Sequence, residues 1–268
     1  MRPTLTRVSF IIVLLLSTLP NAYAQYEKWP GVVKNIEFGY GTSKTWADYT
    51  RKDKVVREDG KVYDTTVNMD VNSSSGVSMQ FGTSIPIKRL GWVSTLSLGL
   101  NGVYNMYTWD YPTATGATLT DSGIRYNYTQ GVLFTGATMN AGLAISADFK
   151  FGVDAMMDKS YRWGWTGGVG VLPSMNMTSD FDNAQTTFGV QPFVKTELAL
   201  RAGIVWKLRL MYAMGKLTYL DAKSKTGFFT YTNSEQISQL TGRGNFTVAL
   251  VLMPFSWTYK RSSWYNSH

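Results

Sequence analysis

The side chains that most often carry out acid–base or nucleophilic chemistry are almost missing from this chain. Its 268 residues include no cysteine and one histidine, His268, at the far end of the sequence. A general base that works near neutral pH is usually a histidine, and a thiolate nucleophile or thiolate metal site needs cysteine. Because His268 follows the last apolar segment, we expect neither a catalytic site nor a metal site.

Two further patterns could carry chemistry, and each has a simpler interpretation. The paired carboxylates at positions 180 and 182, and at 58 and 59, could act as acid and base, but nothing in the sequence positions them. They are more simply solvated loop charges. The glycine-rich segment 164–170 lacks the Lys-Ser/Thr pair of a phosphate-binding loop. We therefore expect no cofactor.

A third group of charged residues is more informative, because its members alternate with apolar residues. Leu143, Ile145 and Phe149 belong to an apolar set that occupies every second position of segment 143–154. Segments 185–200 and 204–214 repeat the pattern with few exceptions. Charges at this spacing project from the face of a strand opposite the apolar one. The charged set is Asp148, Lys150, Asp154, Lys195, Glu197, Lys207 and Arg209.

The elements that position these charges must be unusually long strands. Strands of soluble domains usually run about 5–6 residues, whereas a tilted strand needs about 9–11 to cross a bilayer. The alternation of segment 143–154 persists for longer than that. Charged residues would be costly in a dry sheet core, but they can line the interior of a barrel whose outer face meets lipid.

The same alternation predicts eight strands in an all-β, closed, antiparallel, up-and-down transmembrane barrel. Their connections alternate between short and long, as in barrels with short periplasmic turns and long extracellular loops. A hairpin within 163–177 would raise the count to ten. The predicted strands are 33–44, 75–87, 92–106, 124–136, 143–154, 185–200, 204–214 and 245–257. The predicted short turns are 88–91, 137–142 and 201–203, and the predicted external loops are 45–74, 107–123, 156–185 and 215–244.

The first 24 residues have the pattern of a cleaved secretory signal. Arg2 and Arg7 precede an apolar run, and a small-x-small cleavage site ends at Ala24. We expect export through the periplasm and a mature barrel of residues 25–268. Removing the two arginines lowers the formal charge from +8 to 8 − 2 = +6. That charge is spread along the chain, so we do not expect nucleic-acid binding.

Aromatic residues fall near both ends of the predicted strands, as in the two aromatic girdles of membrane barrels. The alternative is that aromatic residues are simply favoured in strands. Those predicted at the short-turn end are Trp92, Trp206, Phe255 and Trp257, and those at the long-loop end are Tyr104, Tyr126 and Tyr212.

With this architecture the chain resembles the small bacterial outer-membrane β-barrels of the OmpX, OmpW and OmpA-barrel type. The resemblance covers nearly all of 25–257 and rests on the strand and loop pattern, not on a diagnostic motif. It implies residence in the outer membrane, recognition by the barrel-assembly machinery, and contact with outer-membrane lipid and lipopolysaccharide. We also expect a monomer.

The inward charges allow three interpretations of the barrel interior. If Leu200 pairs with Ile204, Glu197 lies opposite Lys207, and Lys195 lies opposite Arg209. An ion network would then plug the interior of an eight-stranded barrel, which is just wide enough to be filled by side chains. Alternatively, the charges sit independently in internal water, or they line a narrow polar conduit.

We favour the plug, and hence a non-catalytic protein with a structural or surface-binding role through its loops. The surface partner is not specified by the sequence. Three rival hypotheses remain: a narrow pore or transporter for small solutes or hydrophobic molecules, an enzyme with a carboxylate-only site in the loops, and a soluble secreted β-sandwich.

Overall fold

The computed structural model describes ten segments of the chain, and they form eleven strands and one short helix. The segments are 34–56, 62–74, 76–90, 93–109, 113–120, 123–129, 136–156, 161–180, 184–224 and 235–256. The strands are β1 (Glu37–Val56), β2 (Val62–Asn72), β3 (Gly76–Arg89), β4 (Ser94–Trp109), β5 (Thr113–Thr120), β6 (Gly123–Thr129), β7 (Gly136–Gly152), β8 (Trp163–Asp180), β9 (Ala184–Ala202), β10 (Ile204–Ser224) and β11 (Glu235–Met253), and helix α1 is Val153–Met156.

The large sheet closes on itself into a ring of eight strand positions. Its order is β11-β10-β9-β8-β7-β4-β3-β1-β2, and β1 also pairs with β11. β3 pairs with residues 37–43 of β1 and β2 pairs with residues 46–56, so β2 and β3 together fill one position. All pairings are antiparallel. The predicted closed barrel of eight strands is confirmed.

Strict alternation in the sequence produces the two faces of the wall. Along β4, Thr95, Ser97 and Asn101 are buried, while the intervening leucines are only half-buried and point outward. Since a strand sends successive side chains to opposite faces, the small and polar set lies inside and the apolar set lies outside. None of the helices in the described segments is long and apolar enough to cross a membrane.

The outer surface carries a belt of exposed apolar side chains around the whole ring. Phe38, Phe81, Leu143, Val169, Leu198 and Leu250 represent six different strands in it. A soluble β-sandwich would bury this face between two sheets, so the closed ring and its apolar exterior rule out that alternative.

The membership of the ring differs from the prediction at 124–142. β6 pairs only with β5, in a separate two-stranded sheet, so the predicted barrel strand 124–136 is wrong. The predicted turn 137–142 lies inside β7, which runs straight into the segment 143–152. Local alternation shows that a segment is a strand, but it does not identify the partner of that strand.

The predicted external loop 156–185 is also wrong, because most of it is the barrel strand β8. β8 pairs with β7 on one side and with β9 on the other. Its glycines obscured the alternation, although they are required by close packing. A Cβ on Gly170 would lie 2.1 Å from the carbonyl oxygen of Ile145 and 2.8 Å from the Phe193 ring. The two described ends of the β7–β8 connection, residues 153–156 and 161–162, therefore lie at the same end of the barrel as the Gly203 turn.

The other predicted loops contain more strand than expected. β1 and β2 occupy most of 45–74, β10 and β11 extend far into 215–244, and β4 with β5 covers much of 107–123. These portions carry polar residues on both faces, so they lack the alternation of apolar and polar residues from which strands were predicted.

The aromatic residues only partly follow the predicted girdles. Trp206 and Phe255 are exposed near the Gly203 end, and Tyr104 and Tyr212 are exposed farther along their strands. Tyr126 lies in β6, outside the ring, so its assignment to a girdle is wrong. Trp92 and Trp257 lie outside the described residues. The prediction missed Trp163 and Trp165, which are exposed at the short-turn end of β8.

Candidate functional site

The barrel interior brings together all seven predicted charged residues and one that the prediction left out, Glu37. Four cations and four carboxylates lie in this cluster, so its formal charge is 4 − 4 = 0, and each of the eight residues is at most 7% exposed. We call this set the ion layer. Its members are Glu37 from β1, Asp148 and Lys150 from β7, Asp154 from α1, Lys195 and Glu197 from β9, and Lys207 and Arg209 from β10.

Lys207 is the centre of the ion layer. Its Nζ lies 2.7 Å from Asp154 Oδ1, 2.9 Å from Glu37 Oε1 and 3.3 Å from Glu197 Oε2. Three carboxylates from three different elements therefore share one ammonium group. An ammonium group has three hydrogens to donate, so this arrangement uses its full capacity.

Arg209 connects the same carboxylates to the polar residues of the opposite wall. Its Nε donates to Glu197 Oε1 at 2.6 Å, and its Nη2 pairs with Glu37. Nη1 donates to Gln80 at 2.8 Å and to Asn101 at 3.4 Å. The guanidinium group thus spans the lumen from β10 to β1, β3 and β4, and it places a planar set of donors across the barrel axis.

Lys195 and Lys150 complete the layer at its edges. Lys195 Nζ lies 2.8 Å from Asp148 Oδ2 and 3.4 Å from Glu197 Oε1. Lys150 Nζ donates to Ser84 at 2.7 Å and lies 3.4 Å from Asp154 Oδ1. Because burying an unpaired charge costs several kcal/mol, these buried charges are tolerable only because each carboxylate is paired with a cation and three of the four are shared between cations.

The pairing across the β9–β10 hairpin differs from the predicted one by two residues. Gly203 alone forms the turn, with φ at +78°, and Ile204 pairs directly with Ala202. Glu197 therefore lies opposite Arg209, and Lys207 lies opposite Ala199. The predicted pairing of Leu200 with Ile204 assumed a three-residue turn. Glu197 still reaches Lys207, but as a diagonal neighbour.

Helix α1 and the residues around it close the short-turn end of the lumen. Val153, Ala199, Val205 and Met253 form a fully buried apolar cluster there, and Tyr161 packs against it. Asp154, from the same helix, accepts a hydrogen bond from Thr166 at 2.5 Å. Asp154 was predicted to continue strand β7, but it belongs to this inward-folded connection.

Apolar and aromatic residues fill the lumen on the other side of the ion layer. The first group follows the ion layer along the strands and consists of Val103, Ala144, Leu172, Phe193, Met211 and Ala213. The second contains Tyr107, Trp109 and Tyr219, with ring centroids 5.4–6.3 Å apart. Trp109 Nε1 donates to Thr138 at 2.7 Å. We call this second group the aromatic cap.

Every charged side chain of the ion layer takes part in at least one ion pair. The described carboxylates of the lumen are committed to cations, and no group of three or more metal-binding side chains stands ready for an ion anywhere in the described segments. The prediction missed Glu37 as a member. Alternation already placed it on the inner face of β1, but only the β1–β11 pairing brings it to Lys207 and Arg209.

Comparisons with known proteins find weak similarities to solved structures and do not specify a function. No protein-family model matches the chain, and no curated protein matches it either. The outer-membrane protease OmpT of Escherichia coli is 8% identical with a TM-score of 0.35, over 81% of this chain and 96% of that chain. Ail, the attachment invasion locus protein of Yersinia pestis, is 7% identical with a TM-score of 0.26, over 77% and 99%.

A FadL homologue from Pseudomonas aeruginosa is also similar, at 5% identity and a TM-score of 0.21, over 83% of this chain and 92% of that chain. Likenesses this weak carry no argument about activity. The description of this chain as a transmembrane β-barrel rests on its own strand register, its apolar exterior and its charged interior.

Proposed function

We propose that this protein is a non-catalytic integral protein of the bacterial outer membrane that acts through its surface and not through its lumen. The observation that carries the proposal is the filled interior, where a neutral ion layer is enclosed between two apolar groups. An eight-stranded interior can be occupied entirely by side chains. A hydrated ion would have to displace both apolar groups and the shared carboxylates to pass.

The surface element best suited to binding is a four-stranded extension of the barrel wall. Ser73 forms a bridge with Trp109 at the end of β4, next to Thr45 of β1. β1 continues from there to Val56, flanked by β2 on one side and β11 on the other. β10 extends beside β11 to Ser224. The extension β2-β1-β11-β10 therefore projects beyond the end of β4.

The extension presents charges of both signs to solvent. Arg243 of β11 lies between Asp48 and Asp70, with 2.6 Å between Arg243 Nη2 and Asp70 Oδ1. The hydrogen bond from Arg243 lowers the pKa of Asp48 below its usual value. Such mixed polar surfaces on a rigid scaffold suit recognition, and loops at this end are where barrels commonly carry function.

The proposed partners follow from this location. Lipid surrounds the apolar belt, lipopolysaccharide phosphates can meet exposed lysines such as Lys44 and Lys216, and the barrel-assembly machinery inserts the chain. A further surface partner is recognised by the extension. The protein works as a monomer in this proposal, and it neither catalyses a reaction nor binds nucleic acid.

Planar-bilayer recording tests the closed lumen. We expect the wild-type protein to insert without stable, ion-selective conductance. Glu197→Lys, which removes a carboxylate shared by Lys195, Lys207 and Arg209, should produce conductance or irregular opening because five cations would then share three carboxylates. Stable conductance of the wild type would contradict the closed lumen and would favour the rival function of a narrow pore or transporter.

A gel-shift experiment tests the membrane assignment separately. The protein should fractionate with membranes, need detergent for extraction, and migrate differently before and after boiling. Extraction into buffer without detergent would contradict the assignment as an integral membrane protein, on which the proposal rests.

A further inference from the structure

The barrel wall contains one joint that has no backbone ladder. β9 and β10 pair from Ala202 and Ile204 up to Phe193 and Ala213, and there the pairing ends. Both strands continue, because β9 is paired with β8 up to Ala184 and β10 is paired with β11 up to Ser224. Residues 184–192 and 214–224 are all described, and none of them pairs across this boundary. We call this boundary the open joint.

Local sequence explains why the ladder stops there. Pro192 is the first residue beyond the last pair, and it has no backbone N–H to donate. Gly215, near it on β10, has φ at +98°, a conformation that turns the strand out of regular register. The pairing of β10 with β11 also shifts between Met214 and Leu217 and again between Thr218 and Leu220. β10 therefore diverges from β9 while remaining attached to β11.

Inward-facing side chains of β9 provide the hydrogen bonds that span the open joint. Gln191 Nε2 donates to the Gly215 carbonyl at 3.1 Å, and Thr187 Oγ1 donates to the Thr218 carbonyl at 2.6 Å. The backbone N–H of Asp221 donates to Gln185 Oε1 at 2.6 Å. A regular antiparallel ladder would supply roughly one backbone bond per residue pair over the same length. Three hydrogen bonds that involve side chains therefore take the place of a much larger number of backbone hydrogen bonds.

The lack of backbone hydrogen bonds across the open joint is costly because of where the joint lies. On its outer side, Phe188 is 78% exposed and Val190 is 64% exposed, so the joint begins within the apolar belt. In hydrocarbon, backbone groups without partners cost several kcal/mol each, and membrane barrels normally avoid this by completing the ladder. Every second residue of each strand directs its backbone groups towards the joint.

These features point to the kind of partner that would fit. A hydrocarbon chain would leave the backbone groups unsatisfied, whereas an extended polypeptide offers alternating N–H and C=O groups along both of its edges. We propose that the open joint binds an extended peptide segment, which adds as a strand between upper β9 and upper β10. The three bridging side chains release their backbone partners to the incoming strand.

Leu217 is the residue that must move for this to happen. It is buried, and a Cβ placed on Gly189 would lie only 2.1 Å from Leu217 Cδ1, so the leucine side chain lies directly against the glycine across the joint. This close approach also provides a means of closing the joint. Leu217 Cγ would lie 3.6 Å from the same Cβ and Leu217 Cβ farther than 4 Å, so two cysteines at these positions need a small shift of β10 towards β9 to reach the Cβ separation of about 3.5–4.5 Å that a disulfide requires. The chain contains no cysteine of its own, so such a disulfide would be the only one.

The proposal goes beyond the surface role proposed above, because the site is in the wall and not on the loops or on the free edge of β2. The test uses the full-length protein in lipid nanodiscs and the variant Gly189→Cys/Leu217→Cys. The probe is a fluorescein-labelled peptide of eight alternating threonines and valines with a lysine at each end. Its control is the same peptide methylated on every second backbone nitrogen, which removes donors along one edge.

We expect saturable binding of the unmethylated peptide to the wild type and to the reduced variant, measured by fluorescence anisotropy. Oxidation of the variant should weaken binding at least tenfold, and reduction should restore it. The methylated peptide should bind at least tenfold more weakly. Equal binding before and after oxidation, equal binding of the two peptides, or the absence of saturable binding to the wild type would each overturn the proposal.

Hydrogen exchange on the wild type gives a second measurement that does not depend on the variant folding. Without peptide, amides of 185–191 and 215–222 should exchange faster than those of 194–201 and 205–212. Saturating peptide should slow exchange in the first two segments. Protection that appears only along β2, residues 62–72, would show that the peptide adds to the exposed sheet edge and would overturn the proposal.

Discussion

Lys207 Nζ lies 2.7 Å from Asp154 Oδ1, and this contact ties the short helix that closes the lumen to the barrel wall. The two residues are 53 positions apart (207 − 154), and β10 does not pair with β7, the strand that leads into the helix. The same ammonium group also holds Glu37 and Glu197. The closure of the short-turn end and the neutrality of the ion layer therefore depend on one lysine.

Removing that lysine charge should destabilise the barrel strongly. In Lys207→Met, three buried carboxylates lose a shared partner, and breaking one partner of a buried ion pair typically costs about 3–5 kcal/mol. We expect the free energy of unfolding, measured by urea titration in lipid vesicles, to fall by that amount. Lys88→Met, at an exposed position of β3, is the matched control and should change the unfolding free energy little. Equal stability of the two variants would contradict a central role for Lys207.

The pair of Lys195 and Asp148 offers a test of coupling within the ion layer. Their charged atoms lie 2.8 Å apart, on strands β9 and β7 that are separated by β8. Lys195→Met and Asp148→Leu should each lower the free energy of unfolding. The double variant should lower it by less than the sum of the two single effects. The coupling energy from this cycle should be about 0.5–3 kcal/mol. Simple additivity would mean that the two charges do not interact.

The glycine beside this pair should be sensitive to a single added methyl group. A Cβ on Gly168 would lie 2.3 Å from Asp148 Oδ1 and 2.9 Å from Lys195 Cε, and neither group can move without disturbing a buried ion pair. Overpacking of this kind typically costs about 1–3 kcal/mol. Gly102→Ala is the control, because the nearest neighbour of the added Cβ would be the Phe81 carbonyl oxygen, at an ordinary contact distance of 3.4 Å. Comparison of the two unfolding curves measures the difference.

Truncation within the aromatic cap should cost more than truncation at the lipid face. Trp109 is fully buried between Tyr107 and Tyr219 and donates a hydrogen bond to Thr138. Trp109→Ala should lower the unfolding free energy by about 3–5 kcal/mol. Trp163→Ala, at an exposed position of β8, should have a smaller effect. If the two variants unfold at the same denaturant concentration, the cap does not stabilise the lumen.

A charge placed in the apolar belt should show whether that belt meets lipid. Leu198 is exposed on the outer face of β9, so Leu198→Arg should cost about 2–4 kcal/mol in a bilayer. Asn68→Arg, on the exposed face of the extension in β2, should cost little. Both variants are folded into lipid vesicles, and their free energies of unfolding are compared there. A negligible effect at both positions would indicate that the belt is in contact with water.

The sequence by itself determined which face of each alternating strand looks inward. The charges at 148, 150, 195, 197, 207 and 209 all lie in the lumen because the side-chain period of a strand is two, whatever its partners are. The total of eight strand positions followed from the same local pattern, but the predicted alternation of short and long connections did not hold, because the predicted turn 137–142 lies in β7 and most of the predicted loop 156–185 lies in β8.

Only the tertiary structure decided which segments pair and in what register. β6 has the alternation of a wall strand and is paired outside the ring, whereas β8 was obscured by glycines that the crowded interior requires. The one-residue turn at Gly203 shifted the partners of Glu197 by two positions. Glu37 reached Lys207 only because β1 and β11, nearly two hundred residues apart, close the ring. Register and closure depend on contacts distant in sequence, and a local period cannot encode them.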